Sequence, residues 1–74
     1  MARNTYDITK HAGEVLRCLI QKHYPSQEAF ARNFGIEIRT LSRYINQGIT
    51  KVTTLQELSD FFDVPLIFFL DEPS

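Results

Sequence analysis

One cysteine, Cys18, occurs in the 74 residues. A lone thiol excludes an internal disulfide and leaves too little sulfur for a zinc site, and the scarcity favours a reducing compartment. The three glycines, Gly13, Gly35 and Gly48, stand apart from one another, so no glycine-rich phosphate-binding loop exists. No apolar run approaches the ~18 residues of a membrane span, and the opening stretch MARNTYDITK has no apolar signal-peptide core. A cytoplasmic protein without a membrane partner is expected. His11 and His23 are twelve residues apart and have no carboxylate at ligand spacing. No metal site, cofactor, small-molecule ligand or catalytic group is expected, and Glu57 and Asp60 read as a solvated helical face. Alternation of period two is missing throughout, which excludes an all-β fold.

Basic residues are missing from the last third of the chain. Residues 1–52 carry all eight Lys and Arg with four acidic residues, a net +4. Residues 53–74 carry five acidic residues and no basic one, a net −5. The overall charge of −1 therefore hides two regions of opposite sign. Such a division suits a molecule with one face for a polyanion and another turned away from it.

Five segments carry a helical apolar period. The first runs from about Ile8 to His23, with Ala12, Val15, Leu16, Leu19, Ile20 and His23 in one stripe. Pro25 then disfavours helical geometry at Tyr24, and Ser26 is placed to cap a second helix over about Gln27 to Asn33. Ala29, Phe30 and Phe34 would face inward from it, and Gly35 stands where a helix stops in left-handed geometry. The third helix spans about Glu37 to Gln47. Ile38, Leu41, Tyr44 and Ile45 make its apolar stripe, and Arg39, Arg43, Asn46 and Gln47 lie opposite. ITKVTT reads as a polar loop before a fourth helix ending near Phe62, with Leu55, Leu58, Phe61 and Phe62 inward. Pro65 suits the first turn of a short fifth helix, PLIFFL, although VPLIFFL could also form a buried strand. The expectation is an all-α fold, one domain over 1–74 with an N-terminal arm over 1–8 and a tail over 71–74.

Helices two and three, joined by a short turn containing Gly35, have the dimensions of a helix-turn-helix. When such a unit binds DNA, its second helix enters the major groove and the N-terminus of its first meets the backbone. Arg39, Thr40 and Arg43 supply hydrogen-bonding groups on the second helix. Ser26 and Gln27 stand at the start of the first, and Arg32 and Lys51 offer cations for passing phosphates.

The stretch AGEVLRCLIQKHYPSQEAFARNFGIEIRTLSRYIN resembles the lambda repressor/Cro-like (XRE-type) DNA-binding domains, and VTTLQELSDFFDVPLIFFL resembles their last two helices. Together these cover about residues 12 to 70. The resemblance implies a compact five-helix domain, usually dimeric, that binds double-stranded DNA and acts on transcription as a regulator, expected to be a repressor, without a cofactor. It places Gln27 where relatives bond a phosphate and brace a reading side chain. Ile38, Arg39, Thr40 and Arg43 fall where relatives face the major groove, and Asn46 near a backbone contact after the recognition helix. Glu37 stands where relatives usually carry Ser or Thr. Ile38 replaces a polar reader and offers an apolar surface, for example to a thymine methyl.

Relatives with a Val-Pro-Leu turn usually continue with an acidic or polar residue; here Ile67 and Phe68 follow. If Leu66, Phe69 and Leu70 turn inward, Ile67 and Phe68 are left outside, which predicts a homodimer interface and a palindromic operator. A rival reading keeps the fold and changes the partner: a protein-interaction module, antitoxin-like or anti-repressor-like, favoured by Ile38, Ile45 and the acidic tail.

Overall fold

The helices begin and end where local chemistry dictates. The computed structural model describes residues 8–70, and side-chain surroundings from residue 10. The tail over 71–74 and the arm over 1–8, apart from Ile8, lie outside the described residues. Helix α1 spans Ile8–His23, α2 Gln27–Phe34, α3 Ile38–Gln47, α4 Val52–Phe62 and α5 Ile67–Leu70. No strand occurs among the described residues, so the fold is all-α and the fifth segment is a helix.

The Ser26 hydroxyl accepts a hydrogen bond from the Ala29 N–H at 3.0 Å and caps α2. Gly35 ends α2 at φ 94, where its N–H and that of Ile36 both donate to the Ala31 carbonyl. Glu37 precedes α3 without a side-chain cap bond, but its carboxylate lies at the positive end of the helix dipole. Gly48 closes α3 by donating to the Tyr44 carbonyl. Helix α4 ends on Asp63, the one described non-glycine residue with positive φ, at 59. Helix α5 is a single turn. Phe68 and Phe69 donate to carbonyls three residues back, at Pro65 and Leu66, the tighter 3₁₀ pattern.

Helix α1 is the centre of the assembly and packs on α2, α3 and α5. Ala12, Leu16 and Ile20 turn inward and meet Phe30 of α2, Leu41 of α3, Leu58 of α4 and Phe69 of α5, all fully buried. The α1 and α3 backbones approach closely at Gly13. A Cβ there would stand 2.5 Å from the Tyr44 carbonyl oxygen and 2.9 Å from that of Ile45. A second packing layer is aromatic. Phe30 stacks on Phe34 and Phe62 at centroid distances of 5.3 and 5.4 Å and meets Tyr24 edge-on at 5.3 Å. The Asn33 amide donates to the Tyr24 hydroxyl at 2.8 Å, which holds that ring's polar end at the surface.

Some side chains depart from the periodic expectation. Phe61 is exposed and Phe62 half-buried: Phe61 meets Phe30, Phe34 and Phe62 edge-on at 5.6, 5.0 and 5.6 Å and still keeps 38% of its surface open. His23 is exposed, with its ring 6.1 Å from Phe62. Ile38, expected on the apolar stripe of α3, is the first residue of that helix and is exposed. Ile49, in the connection expected to be polar, is fully buried and anchors the α3–α4 turn to the core.

Candidate nucleic-acid interface

Burying Leu41 fixes the rotation of α3 about its axis. Residues two positions either side then point away from the core, at about 200° round a helix of 3.6 residues per turn. Arg39 and Arg43 occupy those positions and are exposed. Being four apart, they stand one above the other on one face. Among the described residues neither meets a carboxylate. The ion pair found among the described residues is Arg17 with Glu14 at 3.2 Å, on the exposed side of α1, where such a pair contributes little. Helix α3 contains no acidic residue, so its outer face keeps two uncompensated guanidinium groups.

Arg39, Ser42, Arg43, Asn46 and Gln47 line a shallow depression along this face. The Asn46 amide donates to the Ser42 hydroxyl at 3.2 Å, one turn back, which orients both groups within it. Ser42 is the member that sequence reasoning misses. Its signal is its position three after Arg39 and four before Asn46, on the same side of the helix. Thr40 is half-buried at the margin of the face, and Ile38 extends the face at the helix start with 42% of its surface exposed.

The N-terminus of α2 supplies a second feature. Ser26 is exposed, and its oxygen is engaged with the Ala29 N–H, leaving its own hydrogen to donate outward. Gln27, the first helical residue, is half-buried and bonds to no protein group among the described residues. Arg32 lies in the last turn of α2, away from this end, exposed and with no ion-pair partner among the described residues. Lys51 precedes α4 and shares with Arg43 a second depression between α3 and α4.

The structure thus gathers Arg39, Arg43 and Asn46 around one hollow and Arg43 with Lys51 around another. Ser26, Gln27 and Arg32 border neither, and Ile67 and Phe68 belong to α5, which packs on α1 and α4. No cluster of His, Cys, Asp and Glu with metal-binding geometry occurs among the described residues. None of the described helices is long and apolar enough to cross a membrane.

A protein-family model, the helix-turn-helix, matches residues 21–69, from the last turn of α1 into α5. Comparison with curated proteins and with solved structures gives no match. The matched span contains α2, the Gly35 turn and α3 in register and covers more than half of the chain, and the chain accordingly belongs to the XRE/lambda repressor-like helix-turn-helix family of DNA-binding regulators, a family typically without enzymatic activity.

Proposed function

We propose that the chain is a sequence-specific transcriptional regulator, a repressor that binds a palindromic operator as a homodimer in the cytoplasm. Its one domain spans residues 1–74. The observation that carries this reading is the pair of exposed, uncompensated guanidinium groups of Arg39 and Arg43 on the outer face of α3. A planar guanidinium matches guanine O6 and N7 with two parallel hydrogen bonds, the commonest specific contact in the major groove. Thr40 adds a hydroxyl, and Ile38 an apolar surface for a thymine methyl. Ser26, Gln27, Arg32, Asn46 and Lys51 hold phosphates, which fixes the register of the domain without reading sequence. Occupying the operator excludes other proteins from it, and repression follows from that exclusion.

The exposed Ile38 supports a second reading, in which α3 meets an apolar protein surface rather than a groove. Substitution separates the two. Arg39→Ala is expected to cost about 1–3 kcal/mol on a site selected from random duplexes and little on unselected DNA, while Lys51→Ala weakens both alike and lowers the salt slope by about one. Titrations at several KCl concentrations measure this. Unchanged discrimination in Arg39→Ala would remove α3 as the reading element.

A further inference from the structure

Helix α4 has an outer face that the reading of DNA does not use. Glu57 stands three positions before Asp60 and four before Phe61, so the three share one side of the helix, and all are exposed. Spacing alone makes this a solvated face. The structure adds two observations. Neither carboxylate meets a cation among the described residues, and Asp60 accepts one hydrogen bond, from the Gln56 amide at 3.1 Å. Residues 53–74 hold no Lys or Arg, so the repulsion between the two carboxylates goes uncompensated within this part of the chain. Phe61, in turn, is not a loose side chain. Phe30, Phe34 and Phe62 hold its ring edge-on while 38% of its surface stays open. A ring already fixed in place loses little freedom when a partner covers it.

The complement of this face is present in the same chain. On α3, Arg39 and Arg43 are exposed with no carboxylate beside them, and Ile38 keeps 42% of its surface open. Read from its N-terminus, α3 presents Ile38, Arg39 and Arg43. Read from its C-terminus, α4 presents Phe61, Asp60 and Glu57. The order is apolar, charged, charged in both, and the charges are opposite in sign. At 1.5 Å per residue the two guanidinium groups are spaced about 6 Å along α3 and the two carboxylates about 4.5 Å along α4, a mismatch that long side chains absorb. We propose that α4 docks the α3 of a second copy of this chain, head-to-tail and antiparallel, with Ile38 against Phe61, Arg39 against Asp60 and Arg43 against Glu57. Antiparallel packing also opposes the two helix dipoles. Glu37, two positions before Arg39, is turned about 200° round α3 and lies off the contact. A contact between two different surfaces is not closed by a two-fold axis, so it is distinct from the proposed α5 contact. Being small and carried by exposed charges, it is transient and salt-sensitive. DNA needs the same face of α3, so α4 competes with it as a second polyanion and holds free copies off unselected DNA. That consequence rests on the proposed DNA reading; the contact itself does not.

The test is made first without DNA, in ¹H–¹⁵N spectra of the full chain at low salt, from about 50 µM to about 1 mM, the range of a transient contact. The amide resonances of Ile38, Arg39 and Arg43 and those of Glu57, Asp60 and Phe61 are expected to move together as concentration rises. They are expected to return in about 1 M KCl, where charges are screened within about 3 Å. Sedimentation at tens of micromolar, below this range, still reports the α5 contact alone. Arg39→Glu and Glu57→Arg change exposed side chains, and each is expected to self-associate at least about fivefold more weakly, since like charges then face one another. Each variant keeps one intact face. In an equimolar mixture the α4 resonances of Arg39→Glu and the α3 resonances of Glu57→Arg are therefore expected to move again, read by labelling one variant at a time. Should either fail to fold, Arg43→Glu and Asp60→Arg form the same pair. The absence of a concentration-dependent shift overturns the proposal, as does a mixture that recovers neither face or only one. Shifts of α4 without α3 give that face a different occupant and overturn it too. In a second arm, excess Arg39→Glu weakens binding of the parent to unselected duplex more than does an equal excess of the double variant carrying Arg39→Glu and Glu57→Arg. Both keep α5 intact and exchange through it alike, so the difference reads α4. Equal effects here, with the first arm positive, remove the competition with DNA and not the contact.

Discussion

Gly13 decides how near α1 and α3 lie. Alanine is the better helix former, by about 0.8–1.0 kcal/mol in a solvated helix. At Gly13 the new methyl group would stand 2.5 Å from the Tyr44 carbonyl oxygen, a backbone atom that no side-chain rotation relieves. Separating the helices loosens the contacts of Ala12 and Leu16 with their core neighbours. Overpacking of this kind costs about 1–3 kcal/mol, more than the propensity gain, so Gly13→Ala is expected to lower the melting temperature. A melting temperature above the parent's would show that the two helices move apart freely. Asp63 is the opposite case. It holds a left-handed conformation, φ 59 and ψ 46, at the C-terminus of α4, and its carboxylate faces the negative end of that helix dipole. Asparagine tolerates the same backbone and carries no charge. Asp63→Asn is expected to raise stability by about 0.3–1 kcal/mol at low ionic strength, with the gain fading as salt screens it. Thermal melts at two salt concentrations measure both the gain and its decline.

At the scale of the element, the helix-turn-helix is legible because its boundaries are local. Ser26, Gly35 and Gly48 act within one turn of themselves, so α2 and α3 can be placed without knowing what they pack against. The outward direction of Arg39 and Arg43 follows from the same periodicity, once Leu41 is taken as buried. What is illegible depends on neighbours distant in sequence. Ile49 looks like part of a polar connection and is buried in the same core cluster as Leu41 and Leu55, residues it does not adjoin in sequence. Phe61 has the right spacing for the core and keeps 38% of its surface open, although Phe30, Phe34 and Phe62 meet it edge-on. Thr54 is one of several threonines in ITKVTT, and its burial, which the sequence does not signal, distinguishes it. Gln27 tests the element as a unit. It opens α2 beside free N–H groups and the positive dipole end, where a phosphate is favoured, and its amide bonds to no described protein group. Gln27→Ala is expected to weaken DNA binding while leaving the melting temperature within about a degree, since alanine suits the helix and no internal bond is lost. A large fall in melting temperature would make Gln27 a structural residue instead.

At the scale of the whole molecule, the C-terminal turn raises the question of assembly. A chain of this length buries only ~60–65% of its unfolded surface, and α5 has one turn with which to cover α1 and α4. Adjacent positions on a helix point about 100° apart, so α5 cannot bury all four of its apolar side chains. Phe69 is fully buried and Leu70 half-buried, while Ile67 and Phe68 remain 63% and 47% exposed. Fully covering two such side chains contributes ~1.5–3 kcal/mol each, and a two-fold axis doubles the count. That sum is offset by the loss of free motion on association, which places the proposed dimer at micromolar rather than nanomolar strength. Two copies joined through α5 would present two α3 helices to half-sites one DNA turn, ~34 Å, apart. The two associations respond differently to salt. Phosphate contacts weaken steeply as salt rises, because released counterions are returned to a more concentrated solution. An apolar contact between α5 helices does not involve counterions and keeps its strength. Sedimentation of the parent from low to high KCl is therefore expected to show a dimer throughout while operator binding falls away. Phe68→Asp, which places a charge on the two-fold contact and leaves Phe69 in the core, is expected to sediment as a monomer with an unchanged helical spectrum. Its operator affinity should fall far more than its affinity for a half-site. A parent monomeric at tens of micromolar, or a Phe68→Asp variant that remains dimeric, would place the contact on another surface.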